Sequence, residues 1–254
     1  MSQPPSSGRA PILTIEQLSK SFGGVRAVGD VGFTVAPGEL IGVMGPNGSG
    51  KTTLFNLITG ALAPDRGSIR LRDREITGWA PHRVCAAGIA RTFQLVRPFP
   101  GLTALDNVLV GRLYGRARDG RRAASAEAER LLTLVGLEGK ATRRAASLTL
   151  IDRKRLELAR ALATEPHLLL LDELMAGLNP AETETAMALI CRLQGEGVTI
   201  LMVEHIVWAL MELSQRIIVL SAGEKIAEGP PATIATDPTV IDVYLGSAAS
   251  GPRA

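Results

Sequence analysis

The sequence predicts an α/β fold: an alternating strand–helix core that carries an inserted helical subdomain near residues 95–165. Three observations predict it. ELIGVMG (39–45) is a short apolar strand that runs straight into a glycine-rich loop and a helix. LLLLDE (168–173) is an apolar run of strand length that ends in two acids. Between them, from about 103 to 165, apolar residues recur every three to four positions, the helical period.

The elements follow in order. ILTIEQL (12–18) alternates apolar and polar residues, as a half-buried strand does, FGG (22–24) is a turn, and VGFTVAPGE (31–39) is a strand closed by Pro-Gly. GSIRLRDREI returns to strand, PHRVCAAG is a short helix, and IARTFQ (89–94) is a strand. TALDNVLVGRLY, AEAERLLTLVGL and DRKRLELARALA are three helices, with GRARDGRR as a basic loop between the first two. After LLLLDE come a helix with Pro180 near its start, the strand VTILMVEH, another helix and the hairpin RIIVLSAGEKIAEG. No internal repeat is visible.

Composition narrows the function classes. Apolar residues make up 46% and charged residues 21%, which supports a buried core rather than disorder. The formal charge of +3 and an aromatic content of 4% give neither the electrostatic footprint nor the stacking platforms of a nucleic-acid binder. Cys85 and Cys191 stand far apart and read as reduced thiols. MSQPPSSGRAP has no apolar core and reads as a disordered leader over 1–11; SAASGPRA reads as a flexible tail over 247–254. No stretch reaches the ~18 uncharged apolar residues of a membrane span. The most apolar segment, VTILMVEHIVWALM, is broken by Glu204 and His205.

Gly45-Pro46-Asn47-Gly48-Ser49-Gly50-Lys51-Thr52 fits G-x-x-x-x-G-K-[ST] and lies between a strand and a helix, the setting of a phosphate-binding loop. Its glycines let backbone N–H groups turn inward around phosphate oxygens, and the helix adds its positive end. Lys51 reaches the β- and γ-phosphates in this reading, and the Thr52 hydroxyl ligates Mg²⁺. Thr53 follows in the first turn. Asp172 emerges at the carboxyl end of a buried strand, where open α/β sheets place ligands, and can hold Mg²⁺ through water. Glu173 is placed to polarise an attacking water. Two acids at a strand end are usually only solvated; a phosphate loop about 120 residues upstream changes that reading.

With these motifs the chain resembles the nucleotide-binding subunit of an ATP-binding-cassette (ABC) transporter over residues 12–246. Within that class it is similar to the ATPases of branched-chain amino-acid uptake systems, through RTFQLVRPFPGLTALDNVLVG (91–111), RLELARALATEPHLLLLDELMAGLNPAET (155–183) and DPTVIDVYLG (237–246). The resemblance implies a P-loop NTPase core with an antiparallel β subdomain and an inserted α-helical subdomain. It implies ATP and Mg²⁺ as ligands and ATP hydrolysis as the activity. Its partners are a second ABC ATPase subunit, two transmembrane permease subunits and an extracytoplasmic solute-binding protein, at the cytoplasmic face of the membrane. Gln94 is expected on Mg²⁺ or the attacking water, and His205 as the switch that senses the γ-phosphate. Phe22 is expected against adenine, and the loop around Asn179, where the family often has Asp, against the other subunit.

The chain departs from the family pattern in two places. The signature, commonly LSGGQ, is Leu148-Thr149-Leu150-Ile151-Asp152 here. Thr149 keeps a hydroxyl for the partner's γ-phosphate. Ile151 is the serious change, since a β-branched residue resists backbone angles and close approaches that glycine permits. Leu174 stands where the family usually has Pro, and is expected to loosen the turn after the acids. Two readings follow: a clamp intact in function, or a chain that binds ATP but serves its partner's site poorly, in an asymmetric pair. The retained Glu173 and His205 favour the first. A non-transport cassette ATPase is disfavoured by the single phosphate loop and the lack of a sustained heptad run. The basic stretch 111–122 reads as a solvated loop able to meet anionic lipid.

Overall fold

The computed structural model describes residues 10–93, 98–116 and 120–249. Two sheets organise them. Strands β1 (Leu13–Phe22), β2 (Val25–Val35), β4 (Arg66–Leu71) and β5 (Arg74–Glu75) form an antiparallel sheet in the order β2-β1-β4-β5. The second sheet runs β10 (Glu224–Gly229), β9 (Arg216–Ser221), β3 (Leu40–Met44), β8 (Thr199–Val203), β7 (Leu168–Asp172), β6 (Ile89–Arg91). It is parallel except for the β9–β10 hairpin. Strand β6 stops at Arg91, so the strand expected over 89–94 is shorter among the described residues.

The four leucines of β7 show why its sequence carries no alternation. Leu168 and Leu170 enter the core shared with the antiparallel sheet and helix α1 (Lys51–Ile58), while Leu169 and Leu171 enter the core on the other face. Successive strand side chains point to opposite faces, and both faces are covered. Ile41 and Val43 of β3 pair with Leu201 and Val203 of β8 in the first core, and Met202 joins the second.

The second core also contains the helical subdomain: α3 (Ala104–Tyr114), α4 (Arg121–Leu134) and α5 (Leu150–Ala163). The expected basic loop at 111–122 is correspondingly smaller, because α3 continues through Tyr114 and α4 begins at Arg121. Helices α2 (Pro81–Ala87), α6 (Pro180–Gly195), α7 (Val207–Leu213), α8 (Pro231–Ala235) and α9 (Pro238–Ala249) complete the chain. Helix α9 runs to Ala249, so the tail expected from 247 is helical over its first three residues. Residues 1–9 of the expected leader lie outside the described residues.

Candidate nucleotide site

The phosphate loop leaves β3 at Met44 and enters α1 at Lys51, the strand–loop–helix order read from the sequence. At two positions the loop has no room for a side chain. A Cβ on Gly45 (φ +153) would stand 2.1 Å from the Leu220 carbonyl oxygen, and one on Gly50 (φ +104) 2.3 Å from that of Ala27. Both obstacles are backbone. The loop is seated on the turn of the β9–β10 hairpin: Gly223 N–H donates to Ser49 O at 3.1 Å, and Gly29 N–H to Gly223 O at 2.8 Å.

Lys51 is buried and folds back over its own loop, donating to the carbonyls of Gly45 (2.7 Å) and Pro46 (3.0 Å). Burial pushes its pKa down, and the nearby Glu173 and Asp172 carboxylates oppose that shift. The Thr52 side chain is exposed and Thr53 half-buried. Residues 47–53 line a cavity of about 290 Å³ together with Ala27, Glu173 and His205. Gly45 and Pro46 face an adjoining cavity of about 410 Å³ that Asn47, Glu204, His205, Val207 and Tyr244 share. Tyr244, from α9, is hydrogen-bonded to the Gly45 backbone; burial pushes its phenol up.

The two acids have different surroundings. Asp172 closes β7, where Arg91 Nη2 donates to its Oδ2 at 2.6 Å and both side chains are buried. Arg91 also donates to Asn56 Oδ1 at 2.7 Å, which ties β6 to α1. Arg91 was not singled out from the sequence; the available signal was a single cation inside a short strand. Glu173 leaves the strand with φ +50, in the left-handed region that non-glycine residues rarely occupy. Its Oε1 lies 2.7 Å from His205 Nε2, within hydrogen-bonding distance. His205 follows β8, and neighbouring parallel strands β7 and β8 thus deliver Glu173 and His205 to one edge of the cavity.

The donor set suits ATP with Mg²⁺. Backbone N–H groups, Lys51 and a helix N-terminus meet a polyphosphate, and the Thr52 hydroxyl and Asp172 carboxylate are the hard oxygen donors that Mg²⁺ takes alongside substrate phosphates.

The other predicted residues are spread out. Phe22 is 47% exposed at the end of β1, outside the 290 Å³ cavity, with the Lys20 ammonium 5.7 Å from its ring centre. Gln94 lies outside the described residues. Thr149 is the N-cap of α5, accepting from Asp152 N–H at 3.3 Å, and Asp152 is paired with Lys140 at 2.6 Å. Asn179 caps α6 in a reciprocal capping box with Glu182, which gives its amide a structural use.

The structure places both departures and corrects the expectation for Leu174. Ile151 is half-buried and lines a small apolar pocket of its own chain with Leu158, Leu174, Leu178 and Leu189. The residue of this pair that stands out from the surface is Leu150, 46% exposed. Leu174 does not loosen its turn: it is buried in that same pocket, and its carbonyl accepts from Lys154. The two departures therefore line one pocket. Lys154 and Glu204 are both buried beside this turn; the sequence showed Glu204 only as a break in an apolar segment and gave no signal for Lys154.

The family model for the ABC transporter matches residues 28–176, and one for the branched-chain amino acid ATP-binding cassette transporter matches 224–250. The chain is 40% identical to the high-affinity branched-chain amino acid transport ATP-binding protein BraF of Pseudomonas aeruginosa, over 94% of this chain and 99% of that protein. It is 39% identical to LivG of Escherichia coli, with the same coverage. Among solved structures, the ADP conformation of the cassette MJ1267 superimposes with a TM-score of 0.85 at 30% identity, covering 94% of this chain and 100% of that one. The chain belongs to the ATP-binding cassettes of ABC transporters and is an ATPase of that family.

Proposed function

We propose that this ATPase powers an importer of branched-chain or related amino acids, with Glu173 as the base that activates water. The observation that carries the reading is the Glu173–His205 pair at 2.7 Å, facing the phosphate loop across one cavity. Glu173 accepts the proton of the attacking water, and His205, now on its carboxylate, turns to the γ-phosphate when nucleotide enters. Lys51 exchanges its loop carbonyls for phosphate oxygens. Thr52 and Asp172, the latter through water, would hold Mg²⁺, whose charge would offset that of the transferring phosphoryl group; Arg91 keeps the Asp172 carboxylate oriented for that role. By the resemblance, Gln94 would contact Mg²⁺ or the attacking water, and Phe22, exposed at the end of β1, would support the adenine.

Two such subunits sandwich two nucleotides, each receiving Thr149 and the α5 N-terminus of the other. The names of BraF and LivG support the solute class. Two permease subunits dock in the groove between core and helical subdomain, a cavity of about 300 Å³ whose rim exposes Phe93, Phe99 and Tyr114. Among the described residues no helix is long and apolar enough to cross a membrane. In this reading those subunits hold the chain at the cytoplasmic face, with an extracytoplasmic binding protein in the same system. A second reading, an unequal pair with a homologous cassette, is favoured by the exposed Leu150 at the signature.

Glu173→Gln tests the base. Phosphate release falls by about 100-fold or more, the range of a lost general base, while ATP binding persists. Hydrolysis near the wild-type rate would remove Glu173 from this role.

A further inference from the structure

Lys154 lies on the second turn of α5, five residues past the Thr149 cap, with only 6% of its surface exposed. Its ammonium donates to three carbonyls of the turn that follows β7: Glu173 at 3.2 Å, Leu174 at 2.8 Å and Ala176 at 2.6 Å. An ammonium has three donors, and three backbone acceptors meet them here. The opposite side of the turn is held as well. Glu204 is 3% exposed and its Oε1 accepts from Met175 N–H at 2.9 Å. A buried cation therefore grips the carbonyls of residues 173–176 while a buried carboxyl grips an amide between them.

The turn requires such a grip. Glu173 sits at φ +50, and a left-handed non-glycine residue costs about 1–3 kcal/mol, so it persists only where its surroundings over-determine it. Released, the peptide relaxes toward ordinary angles and the Glu173 side chain leaves the line to His205 and the phosphate loop. Leu174 and Leu158 of α5 belong to one buried cluster, which sets the same turn beside the same helix.

We propose that Lys154 is a positioning residue for ATP hydrolysis: it holds the Glu173 backbone in the conformation that aims the carboxylate at the attacking water. The signature helix offered to a neighbouring subunit and the base used in the chain's own site thereby move as one body. The proposal rests on Glu173 being the base.

The test uses the full-length chain and Lys154→Met, which keeps the stem and removes the donors. Two quantities are read: kcat for phosphate release at saturating Mg-ATP, and Kd for a fluorescent ATP analogue. A misplacement near 1 Å carries a large rate penalty, so kcat falls about tenfold or more while Kd stays within about twofold. Lys154→Arg, with donors and charge restored, recovers part of the rate. A folded Lys154→Met with kcat within about twofold of wild type overturns the proposal, as does a parallel loss of kcat and affinity, which would mark general damage. If Lys154→Met does not fold, Lys154→Gln decides by the same two numbers: a fall in kcat at unchanged Kd supports the role, and an unchanged kcat or a parallel loss overturns it. Glu173→Gln run alongside separates the two claims. Its retained activity removes Glu173 as the base, whereas an inactive Glu173→Gln beside an active Lys154→Met removes only Lys154.

Discussion

The phosphate loop and the signature end of α5 are two helix N-termini built on opposite plans. The first is backbone: three glycines at positive φ, a lysine turned onto its own carbonyls, and no space at Gly45 or Gly50 for a methyl group. The second is side chain: a threonine cap, an acid paired to Lys140, an isoleucine packed inward and a leucine on the surface. A site made of backbone tolerates almost no substitution, and a site that presents a helix end through packed side chains can change its letters and keep its shape. The departures from LSGGQ fall where shape is held by Leu174 and Leu178 rather than by glycine geometry.

Breaking the backbone plan has the largest effect. Gly45→Ala drives a methyl group against the Leu220 carbonyl, so affinity for a fluorescent ATP analogue drops by about two orders of magnitude or more, equivalent to about 3 kcal/mol. Next comes the ion pair behind the acids. Arg91→Met leaves Asp172 buried and unpaired, which costs about 3–5 kcal/mol in urea unfolding. Mg-ADP recovers part of that loss by binding the folded state.

The grip on the 173–176 turn is next in size. Burial raises the Glu204 carboxyl to about 7, against the Met175 N–H and the Lys154 charge that favour ionisation, with Glu173 opposing it. The folded chain therefore binds more protons than the unfolded one between the ordinary 4.5 and about 7, and stability falls as pH rises through that window. Glu204→Gln keeps an acceptor for Met175 and cannot ionise. Its stability relative to wild type improves from pH 5 to pH 8 by a margin on the order of 2 kcal/mol, read as a difference in urea midpoints. A constant difference across that range would show that ionised Glu204 costs the fold nothing. The smallest effect belongs to Ile151. Ile151→Ala costs about 1 kcal/mol of stability, as a half-buried truncation does, and leaves monomer ATP affinity unchanged.

The same contrast explains what the sequence disclosed. GPNGSGKT and LLLLDE were readable because their chemistry is local: spacing, glycine and the end of a buried strand. Arg91, Lys154 and Glu204 were not, because each gains its meaning from a residue distant in the chain, Asp172 for the first and the 173–176 turn for the other two. Leu174 was expected to loosen a turn that proline would stiffen, but local φ restriction was the lesser force; a buried lysine and an apolar pocket hold the turn instead. Ile151 was read from its bulk where the family has glycine; which residue of the helix start turns inward is not local information, and here Ile151 is half-buried while Leu150 is exposed. Phe22 was placed by family position, and its ring lies beside Lys20.

Leu150, exposed at the signature, therefore bears on a neighbour's nucleotide rather than on the chain's own phosphate loop. The direct measurement places Leu150→Gly in a Glu173→Gln background and follows two constants, ATP affinity of the monomer and ATP-dependent dimer association by sedimentation. The account predicts monomer affinity within about twofold and dimer association changed by about tenfold, a coupling near 1.4 kcal/mol. Equal changes in both constants would contradict it.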